Sequence, residues 1–141
     1  ENKVVIVNIM GSWCPNCKDE TAYLAELHNK NNDNGLEVIA LSFDNSDKDE
    51  TIKKLNKIKR HFNANYDFLL AGKSSKKEAA KSLPMLNHIM SYPTSIFIDR
   101  KGNIRKIRTG FYGPGTDGYY TRYIEKTNDF VDKLLAEEVL Q

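Results

Sequence analysis

The apolar positions of the chain fall into short continuous runs separated by stretches with helical spacing. Residues 4–10 and 36–43 are continuous apolar runs rich in β-branched residues, which are typical of strands buried on both faces. Between them, residues 14–29 have helical spacing and residues 31–35 form a polar turn. The order strand, helix, strand predicts a βαβ unit at the start of the chain.

Helical spacing returns in the middle of the chain. Residues 47–62 predict a helix, residues 66–70 a short strand, and residues 74–82 a short helix that ends before Pro84. The basic residues of the first of these helices alternate with apolar positions, and we interpret them as a solvated helix face. The cluster contains Lys53, Lys54, Lys57, Lys59 and Arg60.

The last part of the chain predicts a β-hairpin and a long helix. Residues 95–98 and 104–108 are the strands of the hairpin, and Gly102 between them can take a left-handed turn conformation. A single apolar stripe predicts the terminal helix, and it consists of Tyr120, Tyr123, Ile124, Thr127, Phe130, Val131, Leu134 and Leu135.

Composition limits the possible classes of protein only broadly. The 141 residues suffice for one domain with a useful core, and we treat residues 1–141 as one domain. A formal charge of +2 gives no global field for binding nucleic acid. No apolar run approaches the roughly 20 residues of a membrane span. Because Glu1 is followed almost at once by the first strand, we expect a fragment of a longer chain, without its N-terminal part.

The two cysteines carry the candidate chemistry, in the sequence Trp13-Cys14-Pro15-Asn16-Cys17. At the first turn of a helix, Cys14 lies among unpaired backbone N–H groups, which favour its thiolate over its thiol. Cys17 lies three residues further along on the same side of the helix, close enough to attack a mixed disulfide formed at Cys14. The motif therefore indicates redox exchange.

Other uses of a CxxC motif fit this chain less well. A structural zinc site needs four soft ligands, and the sequence has no second CxxC, only the widely separated His28, His61 and His88. Haem attachment needs a histidine directly after the second cysteine, where Lys18 stands. A disulfide across so short a loop would restrict the unfolded chain little, so stabilisation is a weak reason for the pair. We predict no metal site.

The chain resembles a known family in three segments, VVIVNIMGSWCPNCKDE, SYPTSIFIDRKGNI and GFYGPG. These segments are similar to those of thioredoxin-fold proteins, and more narrowly to the TlpA/ResA-like thiol-disulfide oxidoreductases. The resemblance implies an α/β fold of the thioredoxin-like class. We expect a three-layer α/β/α sandwich with a central mixed sheet and an inserted helix–strand segment.

The same resemblance implies roles for residues of the motif and of the loop before the hairpin. Cys14 would be the attacking thiol, Cys17 the resolving thiol, and Pro93 a cis-proline facing them. From the residues alone, a trans proline that starts an edge strand is the more common case. The predicted substrate-contacting residues are Trp13, Pro15, Asn16, Tyr92 and Thr94. Trp13 could equally be a half-buried anchor.

Glu20 resembles an acid that the ResA-like branch carries one turn beyond its second cysteine. Its charge would raise the pKa of nearby thiols, and it could accept the proton of Cys17 when a mixed disulfide resolves. Alternatively, Asp19 and Glu20 only complement the helix N-terminus. Asn8 occupies the place where cytosolic thioredoxins carry a buried acid, so we expect no carboxylate base from that strand.

The activity implied is thiol-disulfide exchange with client proteins, with no dissociable cofactor. By resemblance, a membrane thiol-disulfide electron donor would recharge the pair, the location would be extracytoplasmic, and the clients would include apocytochromes c. Two alternatives stay open, a non-catalytic thioredoxin-like binding module and a disulfide-forming oxidase. Peroxidase chemistry is disfavoured, because peroxiredoxins carry Thr where this chain has Gly11. A tyrosine cluster near the Gly-rich loop could border a groove, or form core and rim; it comprises Tyr112, Tyr119, Tyr120 and Tyr123.

Overall fold

A computed structural model describes residues 2–44, 47–72, 92–111, 113–116 and 118–137 of the protein. The β-strands in these ranges are β1 (Val4–Met10), β2 (Leu36–Phe43), β3 (Asp67–Gly72), β4 (Thr94–Ile98) and β5 (Ile104–Thr109). The α-helices are α1 (Pro15–Asn31), α2 (Lys48–His61) and α3 (Gly118–Ala136), with short 3₁₀ turns at Asn32–Asn34 and Pro114–Thr116. The sequence predicted each of these strands and α-helices to within a few residues.

The strands form one mixed sheet in the order β3-β2-β1-β4-β5. β1 is parallel to β2, and β2 is parallel to β3, whereas β4 is antiparallel to both β1 and β5. The predicted βαβ unit and the predicted hairpin are therefore confirmed, and Gly102 in the hairpin turn has a φ of 88°. β1 is the central strand of the sheet, so the cysteine motif, which follows its C-terminal end, lies at the end of the sheet midway between the two edge strands.

One face of β1 is fully buried and the other is at least partly buried, which explains its continuous apolar run. Val4 and Ile6 belong to a large core cluster that also includes buried residues of α1, α2 and α3, while Ile9 belongs to a second cluster with Phe43 and Ile96. The three helices thus pack on one face of the sheet. The predicted helix over residues 74–82 lies outside the described residues.

The helices α2 and α3 follow their predicted apolar stripes. The carboxylate of Asp47 caps α2 by accepting the backbone N–H of Glu50 at 3.3 Å, and the helix buries Leu55 and Ile58. The buried residues of α3 are Tyr123, Thr127, Val131 and Leu134. Within the described ranges, no helix has the length and apolar character that crossing a bilayer requires.

Candidate active site

The N-terminus of α1 is built around Cys14. Cys14 is the N-cap residue, with extended backbone, and its Sγ accepts the backbone N–H of Cys17 at 3.2 Å. A sulfur thus takes the place that a serine or aspartate oxygen usually has at a helix start. Pro15 follows in the first turn, where its missing N–H costs nothing and its fixed φ suits the helix. The sequence Cys-Pro at this point therefore sets where α1 begins.

Hydrogen bonds at the start of α1 give the two thiols very different pKa values. The side chain of Cys17 donates to Cys14, and this bond, with the backbone N–H groups of Cys17 and Asn16, lowers the pKa of Cys14 from 9.0 to about 7 against the opposing effect of burial. The same hydrogen bond between the two sulfurs, together with burial, raises the pKa of Cys17 well above its usual value. At neutral pH the pair therefore holds its negative charge on Cys14.

The two sulfurs also differ in access. Cys14 is 5% exposed and Cys17 is fully buried, and both are free thiols in this structure. Pro15 and Asn16 between them are exposed. A polypeptide that approaches the motif therefore meets Pro15 and Asn16 and can reach only the sulfur of Cys14.

Glu20 lies in the interior, only 1% exposed, at the centre of a hydrogen-bond network. Asn8 Nδ2 donates to its Oε1 at 2.7 Å, Ser95 Oγ donates to the same oxygen at 3.4 Å, and the Tyr123 hydroxyl donates to Oε2. Burial raises the pKa of Glu20 to about 7, although these hydrogen bonds and the charge of Arg108 oppose the shift. This carboxyl is therefore poised to exchange a proton near neutral pH.

The sequence left two interpretations of Glu20 open: a base for Cys17, or an acid that only complements the helix N-terminus together with Asp19. Its carboxyl is bonded to β1, β4 and α3, whereas Asp19 is exposed, so only Asp19 lies at the surface near the helix start. The charge of Glu20 raises the pKa of both Cys14 and Cys17. β1 itself supplies an amide, Asn8, and that amide holds the buried acid supplied by α1.

The loop before β4 lies across from Trp13. The Tyr92–Pro93 peptide bond is cis, as the resemblance implied. The ring of Tyr92 packs edge-on against Trp13, with centroids 5.2 Å apart, and also against Phe43 at 6.3 Å. Trp13 is 48% exposed, and its indole N–H donates to the Phe43 carbonyl at 3.0 Å. Trp13 is thus anchored at one edge and presents the rest of its ring beside the cysteines.

A family model described as the AhpC/TSA family matches residues 1–107. The chain belongs to the AhpC/TSA family. The cysteine motif, Glu20 and the loop before β4 all lie within the matched range of this AhpC/TSA chain.

Similar proteins carry names that refer to thiol-disulfide chemistry. The chain is 30% identical over 110 residues to a thioredoxin-like protein, YneN, of Bacillus subtilis, covering 78% of this chain and 58% of that protein. It is 27% identical over 110 residues to the thiol-disulfide oxidoreductase ResA of Oceanobacillus iheyensis, covering 78% and 51%. The AhpC/TSA chain therefore spans only about half the length of these relatives.

Solved structures confirm the thioredoxin-like fold. A thiol-disulfide isomerase of Corynebacterium glutamicum superposes with a TM-score of 0.71 at 20% identity, covering 98% of this chain and 84% of that one. A putative thiol:disulfide interchange protein DsbE of Chlorobium tepidum gives a TM-score of 0.70 at 19% identity, covering 96% and 82%. At these identities the likeness concerns the fold alone.

One predicted substrate contact has no accessible side chain. Thr94 of this AhpC/TSA chain is only 1% exposed, in β4, where four of the five residues are buried. The tyrosine cluster divides into core and rim, since Tyr123 is 1% exposed and Tyr119 is 58% exposed. Tyr112 lies outside the described residues. Across the described ranges, no group of three or more His, Cys, Asp or Glu side chains could hold a metal ion.

Sequence reasoning missed the residues that hold the loop ahead of Cys14. Asp44 accepts the backbone N–H of Ser12 at 3.1 Å and the hydroxyls of Ser12 and Ser42. A Cβ on Gly11 would lie 2.2 Å from the indole nitrogen of Trp13, so only glycine allows the ring to fold back over this loop. Gly11, two residues before Trp13, was the one signal in the sequence for this loop. The contact between Asp44 and Ser12 could not be predicted because it joins residues 32 positions apart.

Proposed function

We propose that this chain is a thiol-disulfide oxidoreductase that exchanges its Cys14–Cys17 pair with the disulfides of client proteins. The observation that carries the proposal is the state of Cys14. Its sulfur caps α1 with a pKa of about 7 and is the less buried of two free thiols. A thiolate that is populated at neutral pH and placed at the outer end of a CxxC pair is the nucleophile that this chemistry needs.

The exchange takes place in two displacements. The Cys14 thiolate attacks one sulfur of a client disulfide, forms a mixed disulfide and releases the other client sulfur as a thiolate. Cys17 then loses its proton and attacks the Cys14 sulfur, which releases the second client thiolate. Two electrons pass to the client, which becomes a dithiol, while Cys14 and Cys17 become a disulfide. A separate dithiol donor must reduce that disulfide before the next turnover.

Glu20 would take the proton of Cys17 in the second displacement. Cys17 holds its proton strongly, so it needs a base when Cys14 is no longer a thiolate. Glu20 is one helical turn away, interacts electrostatically with both cysteines, and has a pKa of about 7. The hydrogen bonds from Asn8, Ser95 and Tyr123 fix its orientation for that task.

The finer assignment is a reductase that works outside the cytoplasm, recharged by a membrane thiol-disulfide electron donor. Its support is the resemblance to the TlpA/ResA-like branch and the similarity to ResA proteins at about 30% identity. By that resemblance the clients include apocytochromes c, and Trp13, Tyr92, Pro15 and Asn16 would form the surface on which they dock.

Alkylation of Cys14 as a function of pH tests the proposal. We expect the rate of modification by iodoacetamide to be half-maximal near pH 7, since the thiolate is the reactive form. In the Cys17→Ala variant, which lacks the thiol that donates to Cys14, the midpoint should move upward. A Cys14 that titrates near 9.0, or resists modification, would instead favour the non-catalytic binding module.

The reduction potential of the Cys14–Cys17 pair tests the direction of exchange. For a reductase we expect a value near the roughly −270 mV of thioredoxin, measured by equilibration with glutathione or dithiothreitol buffers of known potential. A value near the roughly −120 mV of a strong disulfide-forming oxidant would reverse the assigned direction. Such a value would leave the proposal of thiol-disulfide exchange intact and change only its direction.

A further inference from the structure

A groove beside the cysteine motif is not used in the mechanism above. Its volume is about 550 Å³, within the range of clefts that bind ligands. One wall is Ser12, Trp13 and Lys18, which lie within two residues of the cysteines in sequence, and the other wall comes from α2 and its C-cap residue. The groove therefore lies next to the cysteine motif.

The walls of the groove carry positive charge over an apolar base. Lys18, Lys54 and Lys57 supply the charge, and His61, Ile58 and Phe62 also line the groove. Among the described residues, Lys54 forms an exposed ion pair with Glu50 at 3.6 Å, and no ion pair involves Lys18 or Lys57.

The neighbouring carboxylate, Asp44, is buried behind Ser12 and forms no ion pair with any described lysine of the groove. Asp44 is only 8% exposed and accepts hydrogen bonds from Ser12 and Ser42 behind the groove wall. Among the described residues, the carboxylate that pairs with a lysine of the groove is Glu50, whose side chain is 61% exposed and contacts Lys54. Lys18 and Lys57 have no ion-pair partner among the described residues, and the exposed pair of Lys54 with Glu50 is weak, so all three lysines can attract an incoming anion.

We propose that this groove binds an acidic segment of the client polypeptide next to the disulfide being reduced, an inference that rests on the proposed function. Carboxylates of the segment would face Lys54 and Lys57, and an apolar side chain between them would contact Ile58 and Phe62. Since the formal charge of the whole chain is only +2, the attraction depends on this local arrangement. The basic positions of α2 interpreted above as a solvated face would then discriminate among clients.

Two short synthetic peptides test the proposal. Each contains one disulfide, flanked by glutamates in one peptide and by glutamines at the same positions in the other. We expect the wild-type protein to reduce the acidic peptide with a kcat/KM about three- to tenfold higher at low salt, since each partly exposed charge pair contributes little. The preference should decrease as ionic strength rises.

Matched double variants on α2 locate the effect. Lys54→Gln/Lys57→Gln should remove most of the preference for the acidic peptide while leaving reduction of the neutral peptide unchanged. Lys53→Gln/Lys59→Gln makes the same change in charge on the same helix, at residues that do not line the groove, and should keep the preference.

The possible outcomes separate this inference from the proposed function. Equal reduction of the two peptides, or a preference that persists in Lys54→Gln/Lys57→Gln, would overturn the groove assignment and leave the exchange activity standing. Failure to reduce either peptide would overturn the proposed function itself. If the protein reduced the two peptides equally and an oligonucleotide inhibited their reduction, the groove would be assigned to nucleic acid and the inference would be overturned.

Discussion

The Cys14→Ser variant should lose thiol-disulfide exchange almost completely, by about a thousandfold or more in kcat/KM. A serine hydroxyl at this N-cap can still accept the backbone N–H of Cys17, so the start of α1 should be preserved. The hydroxyl is not ionised near pH 7 and cannot attack a disulfide. Reduction of insulin disulfides with dithiothreitol as the electron donor measures the activity, and a denaturation curve measures the stability.

The Cys17→Ser variant provides the matched comparison, because it removes the other sulfur of the same pair. Cys14 should still attack, so the variant should accumulate a mixed disulfide with the client that mass spectrometry can assign to Cys14. Since Cys17 is fully buried, it should form no such adduct when Cys14 is absent. Retained exchange in Cys14→Ser, or an adduct on Cys17, would contradict the proposed order of attack.

The secondary structure was predictable because each element depends on local patterns. The continuous apolar run of β1, the helical spacing of α1 and the glycine of the hairpin turn are visible without any tertiary contact. Proline and cysteine fixed the start of α1 in the same way. The resemblance to the TlpA/ResA-like family added the fold and the cis peptide bond at Pro93, which the residues alone did not favour.

The surroundings of Glu20 were not predictable because they join distant parts of the chain. Its partners Asn8, Ser95 and Tyr123 lie 12, 75 and 103 residues away. Side-chain spacing placed Tyr123 on the apolar stripe of α3, but it did not reveal that its hydroxyl meets a buried acid. Thr94 shows the opposite problem, since its position next to Pro93 in sequence suggested a substrate contact, whereas its side chain is buried in the fold.

The charge of Glu20 affects both displacements of the proposed exchange, the attack by Cys14 and the later attack by Cys17. Glu20 raises the pKa of both thiols, whereas the hydrogen bonds at the helix start lower that of Cys14 alone. Glu20 therefore opposes formation of the attacking thiolate, and in the proposed mechanism it serves only the later step, in which Cys17 must be deprotonated. A buried acid held by three donors is consistent with that second role, at a cost in stability.

The Glu20→Gln variant should be more stable than the wild type above pH 7. Burial raises the pKa of Glu20 from 4.5 to about 7, so between these values the folded state binds more protons than the unfolded state. Stability therefore falls as pH rises through this window, by about 3 kcal/mol in total. Glutamine carries no charge, so the variant does not lose this stability at high pH. Imperfect hydrogen bonding of the glutamine to Tyr123 should lower the free energy of unfolding of the variant by about 1 kcal/mol. Urea unfolding at pH 4.5 and pH 8 measures the difference.

The same variant should be slower in exchange although it is more stable. Without the carboxylate, Cys17 lacks its base, so we expect kcat to fall about a hundredfold and mixed disulfide to accumulate. Cys14 should at the same time be alkylated at lower pH, because a negative charge that raises its pKa is gone. Asp19→Asn removes an exposed carboxylate next to Glu20 and should change neither the stability profile nor the rate. A Glu20→Gln variant with wild-type turnover and an unchanged dependence of stability on pH would show that Glu20 is neither the base nor a strained buried charge.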